Sequence, residues 1–212
     1  MIGTSETTEP QGNEVAGVLT TPEEWRDFLQ RYSELYVKTH ADEDELGDLL
    51  DEDQMEALEQ GGHVELWLGE VAAEEEALAA AEERLGVRFP PSLRGFFLAS
   101  DGWRRVDDHV DGVHPCGRVV WMRDSEAGSR AIETYASISG NEEDVQLFRR
   151  SIEIARGEDF WLLDPTDVGQ DVEWAAYEFA PKYGDTTKRP SFSALLHSGY
   201  ESMEEDADEK TD

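Results

Sequence analysis

The sequence predicts an α+β protein, with a central and largely antiparallel sheet against which helices pack. Up to about residue 100, apolar residues recur every three to four positions, which is typical of amphipathic helices. From Arg118 onward, short apolar segments with a period near two indicate strands. No long linker or solenoid-length repeat separates the two parts, so we expect helices and sheet to share one core.

The first predicted element is an amphipathic helix that begins at Thr21. The residues Thr21-Pro22-Glu23-Glu24 form a capping box with proline at the first helical position. Aromatic and leucine residues follow at helical spacing: Trp25, Phe28, Leu29, Tyr32, Leu35 and Tyr36. Such a stripe is typical of a core-facing side, so we expect it to pack inside the protein.

The stretch from Ala41 to Gln60 is predicted as a second helix in which every charge is negative. Its apolar side would consist of Leu46, Leu49, Leu50, Met55 and Leu58. Residues 41–59 contain ten carboxylates, and neither Lys nor Arg occurs between Thr39 and Glu83. As one continuous helix, these residues would span roughly 28 Å, which is about one charge per 3 Å and close to the charge density of a nucleic acid.

Two more helices are predicted on either side of a proline pair. The segment 74–85 reads as a helix that Gly86 ends, and Pro91 starts a short apolar helix that ends at the turn 100–102.

The remaining chain predicts the sheet and a closing helix. Segments 118–122, 160–163 and 172–179 read as strands that lie close enough in sequence to be antiparallel neighbours. A helical segment at 143–155 interrupts them, and Ser191 starts a closing helix at 191–200.

The composition predicts a folded but strongly acidic protein. Apolar residues make up 38% of the chain, whereas 50 Asp and Glu against 18 Lys and Arg leave a formal charge of −32. That charge repels nucleic acid and anionic membranes and attracts a cationic partner. The single cysteine, Cys116, and the lack of a recognisable signal peptide or membrane span favour a cytoplasmic location.

We expect one domain with mobile ends. Residues 1–18 are predicted as a disordered N-terminus, residues 19–200 as a single α+β domain, and residues 201–212 as an acidic, flexible tail.

The densest group of potential metal ligands lies between Asp107 and Cys116 and includes His109, Asp111 and His114. A polar turn near Asp111 explains these residues more simply, because no second pair of Cys or His completes a zinc set.

Residues 42–53 fit an EF-hand register only in part, since Leu46 stands at a ligand position. No nucleophile elbow or phosphate-binding glycine loop is present. We therefore predict no enzyme, no cofactor and no metal, although metal binding by the 107–116 cluster stays open.

The run from Ala81 to Trp103, AEERLGVRFPPSLRGFFLASDGW, resembles the signature segment of the SUKH superfamily. The segments FWLLDP at 160–165, VEWAAYEFA at 172–180 and PSFSALL at 190–196 look like the strands and closing helix of bacterial members, so the resemblance covers about 75–200. It implies an α+β fold with a central, largely antiparallel sheet. It also implies a function, since many bacterial members are immunity proteins that bind polymorphic toxins, while a fungal member regulates cell-wall assembly.

Together, charge and resemblance predict a non-catalytic protein that binds and neutralises a toxin with a basic surface, such as a nuclease or deaminase. The alternative is a regulatory scaffold of the cell-wall-regulator type. The predicted partner-binding residues are the carboxylates of the acidic stretch: Asp42, Glu43, Asp44, Glu45, Asp48, Asp51, Glu52 and Asp53.

Overall fold

The computed structural model describes residues 17–39, 46–47, 50, 52–60, 66–106 and 109–209. In this part of the chain there are seven longer helices: α1 (Pro22–Thr39), α2 (Glu52–Glu59), α3 (Glu75–Leu85), α4 (Pro91–Ala99), α5 (Glu126–Ala136), α6 (Glu142–Arg150) and α7 (Phe192–Glu209). The strands are β1 (Trp103–Arg104), β2 (Gly112–Val113), β3 (Val120–Trp121), β4 (Ile152–Arg156), β5 (Phe160–Val168), β6 (Trp174–Ala180) and β7 (Asp185–Arg189).

The strands form a single sheet in which each described pair is antiparallel. Their order is β1-β2-β4-β5-β6-β7, and β3 pairs with the other end of β4. Strands β4 to β7 form a meander, whereas the short strands β1 and β2 extend the sheet on the other side of β4. The predicted α+β class and antiparallel sheet are therefore confirmed.

The central strands β4 to β6 are largely buried on both faces, since their alternating side chains enter two different cores. On β5, Trp161 and Leu163 join the larger core, whereas Phe160 and Leu162 point to a second core. The larger core includes residues of α1, α3, α4 and α7. The second core includes residues of α5 and α6. The sheet thus lies between two helical layers.

Helix α1 begins as its capping box predicts. The carboxylate of Glu24 accepts hydrogen bonds from the backbone N–H groups of Thr20 and Thr21, both at 3.0 Å, and the Thr21 hydroxyl accepts one from the Glu24 N–H. Trp25 is fully buried, and its ring meets that of Phe96 edge-on with centroids 5.4 Å apart. The aromatic stripe of α1 is therefore part of the core, as predicted.

Several predicted elements differ from the observed ones. The acidic stretch is not one helix, because Leu50 is a non-helical bend with a buried side chain and α2 begins only at Glu52. The helix predicted at 143–155 ends at Arg150, and strand β4 takes the residues that follow. The closing helix α7 does not end near residue 200 but runs to Glu209, with Met203 buried against the core. The strand predicted at 118–122 contains only the two residues of β3, flanked by short 3-10 turns.

Candidate partner-binding surface

A surface groove of about 640 Å³ lies between helix α1 and the segment Leu66–Ala73, which is named here the edge segment. Arg26, Asp27 and Gln30 of α1 form one wall, since Gln30 lies four residues after Arg26 and three after Asp27 on the helix surface. The opposite wall consists of Trp67 and residues 69–72 of the edge segment. The groove is therefore framed by one helix and one extended segment.

The edge segment continues the sheet beyond β1. Gly69 pairs with Trp103 in an antiparallel bridge. The bridge is flanked by two hydrogen bonds, from the Arg104 N–H to the Leu68 carbonyl at 3.2 Å and from the Glu70 N–H to the Gly102 carbonyl at 3.3 Å. The edge segment is thus the outermost extended strand on this side of the described sheet.

Glycine at position 69 is required by close packing. A Cβ atom there would lie 2.2 Å from the Ser100 hydroxyl and 2.7 Å from the indole Nε1 of Trp67. The Trp67 indole therefore lies over Gly69, and it meets the Trp103 ring edge-on with centroids 5.3 Å apart. This packing holds a large aromatic side chain, 36% exposed, at the rim of the groove.

The groove combines apolar and acidic groups. Val71 is 87% exposed and presents an aliphatic side chain to solvent beside the Trp67 indole. The Asp27 carboxylate is exposed, and that of Glu70 forms a surface ion pair with Arg104 at 2.9 Å. The cation of the groove, Arg26, donates a hydrogen bond to the Leu98 carbonyl at 3.1 Å. An apolar contact and carboxylates are thus available to a partner side by side.

Six of the eight predicted partner-binding residues, Asp42, Glu43, Asp44, Glu45, Asp48 and Asp51, lie outside the described residues. Glu52 and Asp53 are described, and both are exposed in the first turn of α2. Carboxylates at this position favour the helix, because the N-terminal end of its dipole is positive. The structure therefore neither brings the eight residues together nor separates them, and their role stays a prediction.

The groove residues Trp67, Gly69 and Val71 were not among the predicted site residues. Their signal was present in the run LWLGEV at 66–71, where Leu66 and Leu68 are buried and Trp67 between them is exposed. This alternation is the pattern of a half-buried strand. The alternating pattern is short and adjoins the acidic stretch, whose carboxylates are the more conspicuous candidates for partner binding.

A second cavity, of about 390 Å³, lies at the β1 and β2 end of the sheet and has a polar lining. His114 and Arg156 line it and converge on the buried carboxylate of Glu153, at 3.5 Å and 3.4 Å from Oε1. The Ser125 hydroxyl donates to the other oxygen of Glu153. His114 therefore contacts a buried carboxylate that also binds two other side chains.

The Cys116 thiol is buried, and burial, together with the nearby Asp101 carboxylate, raises its pKa to about 12. A thiol in this state is a poor nucleophile and a poor metal ligand near neutral pH, because both roles need the thiolate. In the ranges that the structure describes, no group of three or more His, Cys, Asp or Glu residues is placed to hold a metal ion. Asp107 and Asp108 of the predicted cluster lie outside those ranges.

The architecture and the groove define a class: an α+β protein with one antiparallel sheet between two helical layers and an open surface groove at the sheet edge. A family model, described as the SMI1 / KNR4 family (SUKH-1), matches residues 72–198, and the chain belongs to this family. No curated protein matches the chain. The predicted SUKH resemblance is thus confirmed, and it indicates protein–protein interaction as the broad class of function.

None of the helices in the described ranges combines the length and hydropathy that a membrane crossing requires.

Proposed function

We propose that the chain is a cytoplasmic, non-catalytic immunity protein that binds a cognate polymorphic toxin with a basic surface and keeps it from its target. Such proteins protect the producing cell in contact-dependent competition between bacteria. The partner would be a protein such as a nuclease or deaminase, whose own substrate site is cationic.

One observation supports this proposal most directly: exposed apolar residues and exposed carboxylates lie in one stretch of the chain that contains neither Lys nor Arg. The edge segment, with the exposed side chains of Trp67 and Val71, lies within the stretch from Thr39 to Glu83 that contains neither Lys nor Arg. Helix α2, with exposed carboxylates at Glu52 and Asp53, precedes it in the same stretch. Carboxylates that raise the association rate and buried anchors that slow dissociation are the two parts of a tight protein interface.

In this mechanism the charge acts first. The field of a chain with a formal charge of −32 draws a cationic protein toward it and orients it before contact. The groove then buries apolar side chains of the partner against Trp67 and Val71, which excludes water and prolongs the complex. The partner's cationic surface is covered by carboxylates and can no longer bind phosphates.

The family match also fits a second function, a regulatory scaffold of the cell-wall-regulator type. In that case the groove would recruit a cellular protein, and the acidic stretch would contribute solubility only. The two functions differ in the partner, because an immunity protein neutralises the activity of a toxin encoded beside it.

The test is to co-express the full chain with the product of the neighbouring gene and to purify either one by an affinity tag. The proposal predicts a stable complex in which the toxic activity is lost. A neighbouring toxin that stays free and active in the presence of excess chain would contradict it.

A further inference from the structure

We propose that the groove binds an extended, basic segment of the partner, which adds to the sheet as a new strand beside the edge segment. This inference depends on the proposed function only for the identity of the partner. The binding mode itself follows from the backbone geometry at Gly69.

The backbone of the edge segment offers hydrogen-bonding groups to an incoming strand. In an antiparallel bridge whose hydrogen bonds lie on the flanking residues, the central residue points its own N–H and C=O away from the partner strand. Here the flanking bonds are made by Leu68 and Glu70, so the N–H and C=O of Gly69 point away from β1. Within the described ranges neither group has a hydrogen-bond partner, and the same holds for the backbone of Trp67.

The groove has the shape that such a strand needs. Trp67, Gly69 and Val71 all line it, and three residues at a period of two extend over roughly 13 Å at about 3.3 Å per residue. Helix α1 forms the far wall through Arg26, Asp27 and Gln30, so an added strand would lie between a sheet edge and a helix. Strand addition of this kind obtains affinity from main-chain hydrogen bonds and specificity from alternate side chains.

The sequence of the edge segment lacks two of the usual protections against strand addition. Natural sheets shield exposed edges with Lys, Pro, bulges or a covering element. The edge segment, LWLGEVAA, contains no Lys and no Pro, and its one charged residue is Glu70. Within the described ranges, an edge without these residues can serve as a template for another strand.

The lining defines the chemistry of the occupant. Exposed Val71 and Trp67 favour apolar side chains on one side of the incoming strand. The carboxylates of Asp27 and Glu70 favour Lys or Arg on the other side, although Arg26 lines the same groove and Arg104 already pairs with Glu70. The occupant is therefore an extended segment in which apolar residues alternate with Lys or Arg.

The experiment uses a phage library of random twelve-residue peptides, which is panned against the full chain. Enriched peptides are synthesised and their affinities are measured for the wild type, for Val71→Lys and for Ile138→Lys. Ile138 is 51% exposed and lies outside the groove, so it receives the same change of side chain as a matched control. Amide hydrogen exchange of Trp67 and Gly69 is followed with and without peptide.

We expect enriched peptides that alternate apolar and basic residues, that bind Val71→Lys at least about tenfold more weakly and that bind Ile138→Lys normally. The amides of Trp67 and Gly69 should exchange more slowly in the complex, which a side-chain contact alone would not produce. An absence of enriched peptides, or peptides that bind both variants equally and leave these amides unprotected, would overturn the inference. A toxin that binds elsewhere on the chain would overturn the inference but leave the proposed function intact. Peptides that bind the groove, in a chain that binds no toxin, would support the inference and contradict the proposed function.

Discussion

The carboxylate of Glu173 accepts two hydrogen bonds from Ser92, one from its backbone N–H at 2.8 Å and one from its hydroxyl. Ser92 is the second residue of α4, so the sheet side of the molecule is tied to the first turn of a core helix. Asp171 and Val172, with φ angles of 55° and 63°, lead the chain into this contact. For a β-branched residue such as Val172 a positive φ is costly, so the contact helps to hold a strained loop in place.

Burial raises the pKa of Glu173, even though the hydrogen bonds from Ser92 favour its charged form. The pKa of Glu173 is higher in the folded state than in the unfolded state. Its carboxyl group therefore stabilises the fold fully at pH values below its ordinary pKa, and this contribution is lost as the pH rises through the raised pKa. We therefore expect Glu173→Gln to have a higher free energy of unfolding than the wild type at about pH 8 and the same one near pH 4. Urea unfolding at both pH values measures this, with Glu143→Gln at an exposed position of α6 as the control. A variant that is less stable than the wild type at about pH 8 would refute the prediction.

The contact between Gly95 and the chain before α1 leaves no space for a side chain. A Cβ atom at position 95 would lie 2.2 Å from the Thr20 carbonyl oxygen. Gly95→Ala is expected to lower the free energy of unfolding by about 1–3 kcal/mol, although alanine favours a helix by roughly 1 kcal/mol. Gly117→Ala is the matched control, because no atom lies within 4 Å of a Cβ there. Equal stabilities of the two variants in urea would show that the contact is not formed.

These two contacts show where sequence patterns were sufficient and where they were not. The capping box at Thr21, the stop at Gly86 and the helix start at Pro91 depend on neighbours in sequence, and the structure confirms all three. The partners of Glu173 and Gly95 lie 81 and 75 residues away, and no local pattern specifies them.

Strand and helix lengths were predicted less well for a physical reason. The sequence predicts a helix over the first residues of β4, because this strand has only five residues, IEIAR, and is separated from the end of α6 by a single residue. Strand β7 is mostly exposed and polar, so it has no apolar signal at all. Helix α5 and the edge segment were missed as well, although Ser125 caps α5 locally and the edge segment has the alternation of a half-buried strand.

The thiol of Cys116 should not react in the folded protein. Its pKa of about 12 and its burial leave very little accessible thiolate at about pH 8. We expect no colour with an aromatic disulfide reagent under native conditions and one thiol per chain after unfolding in guanidinium. Full reaction within minutes in the native state would contradict the buried position.

The carboxylates of α2 should contribute to the rate of association with the partner. Replacing Glu52, Asp53 and Glu56 by their amides removes three charges from the acidic stretch. We expect the association rate at low salt to fall several-fold with little change in the dissociation rate, because peripheral charges act mainly on encounter. The same amide replacements at Glu142, Glu143 and Asp144 in α6 are the matched control. Equal rates for the two triple variants would assign no special role to α2.

The most direct test of partner binding is stopped-flow association of the full chain with the toxin domain encoded by the neighbouring gene, measured across a range of ionic strength. The proposed immunity function predicts a tight complex that abolishes toxicity, with an association rate that falls steeply as salt rises, since the Debye length shrinks from about 30 Å at 0.01 M to about 8 Å at 0.15 M. No complex at any salt concentration would contradict the immunity function, and a complex whose association rate does not depend on salt would contradict its electrostatic part.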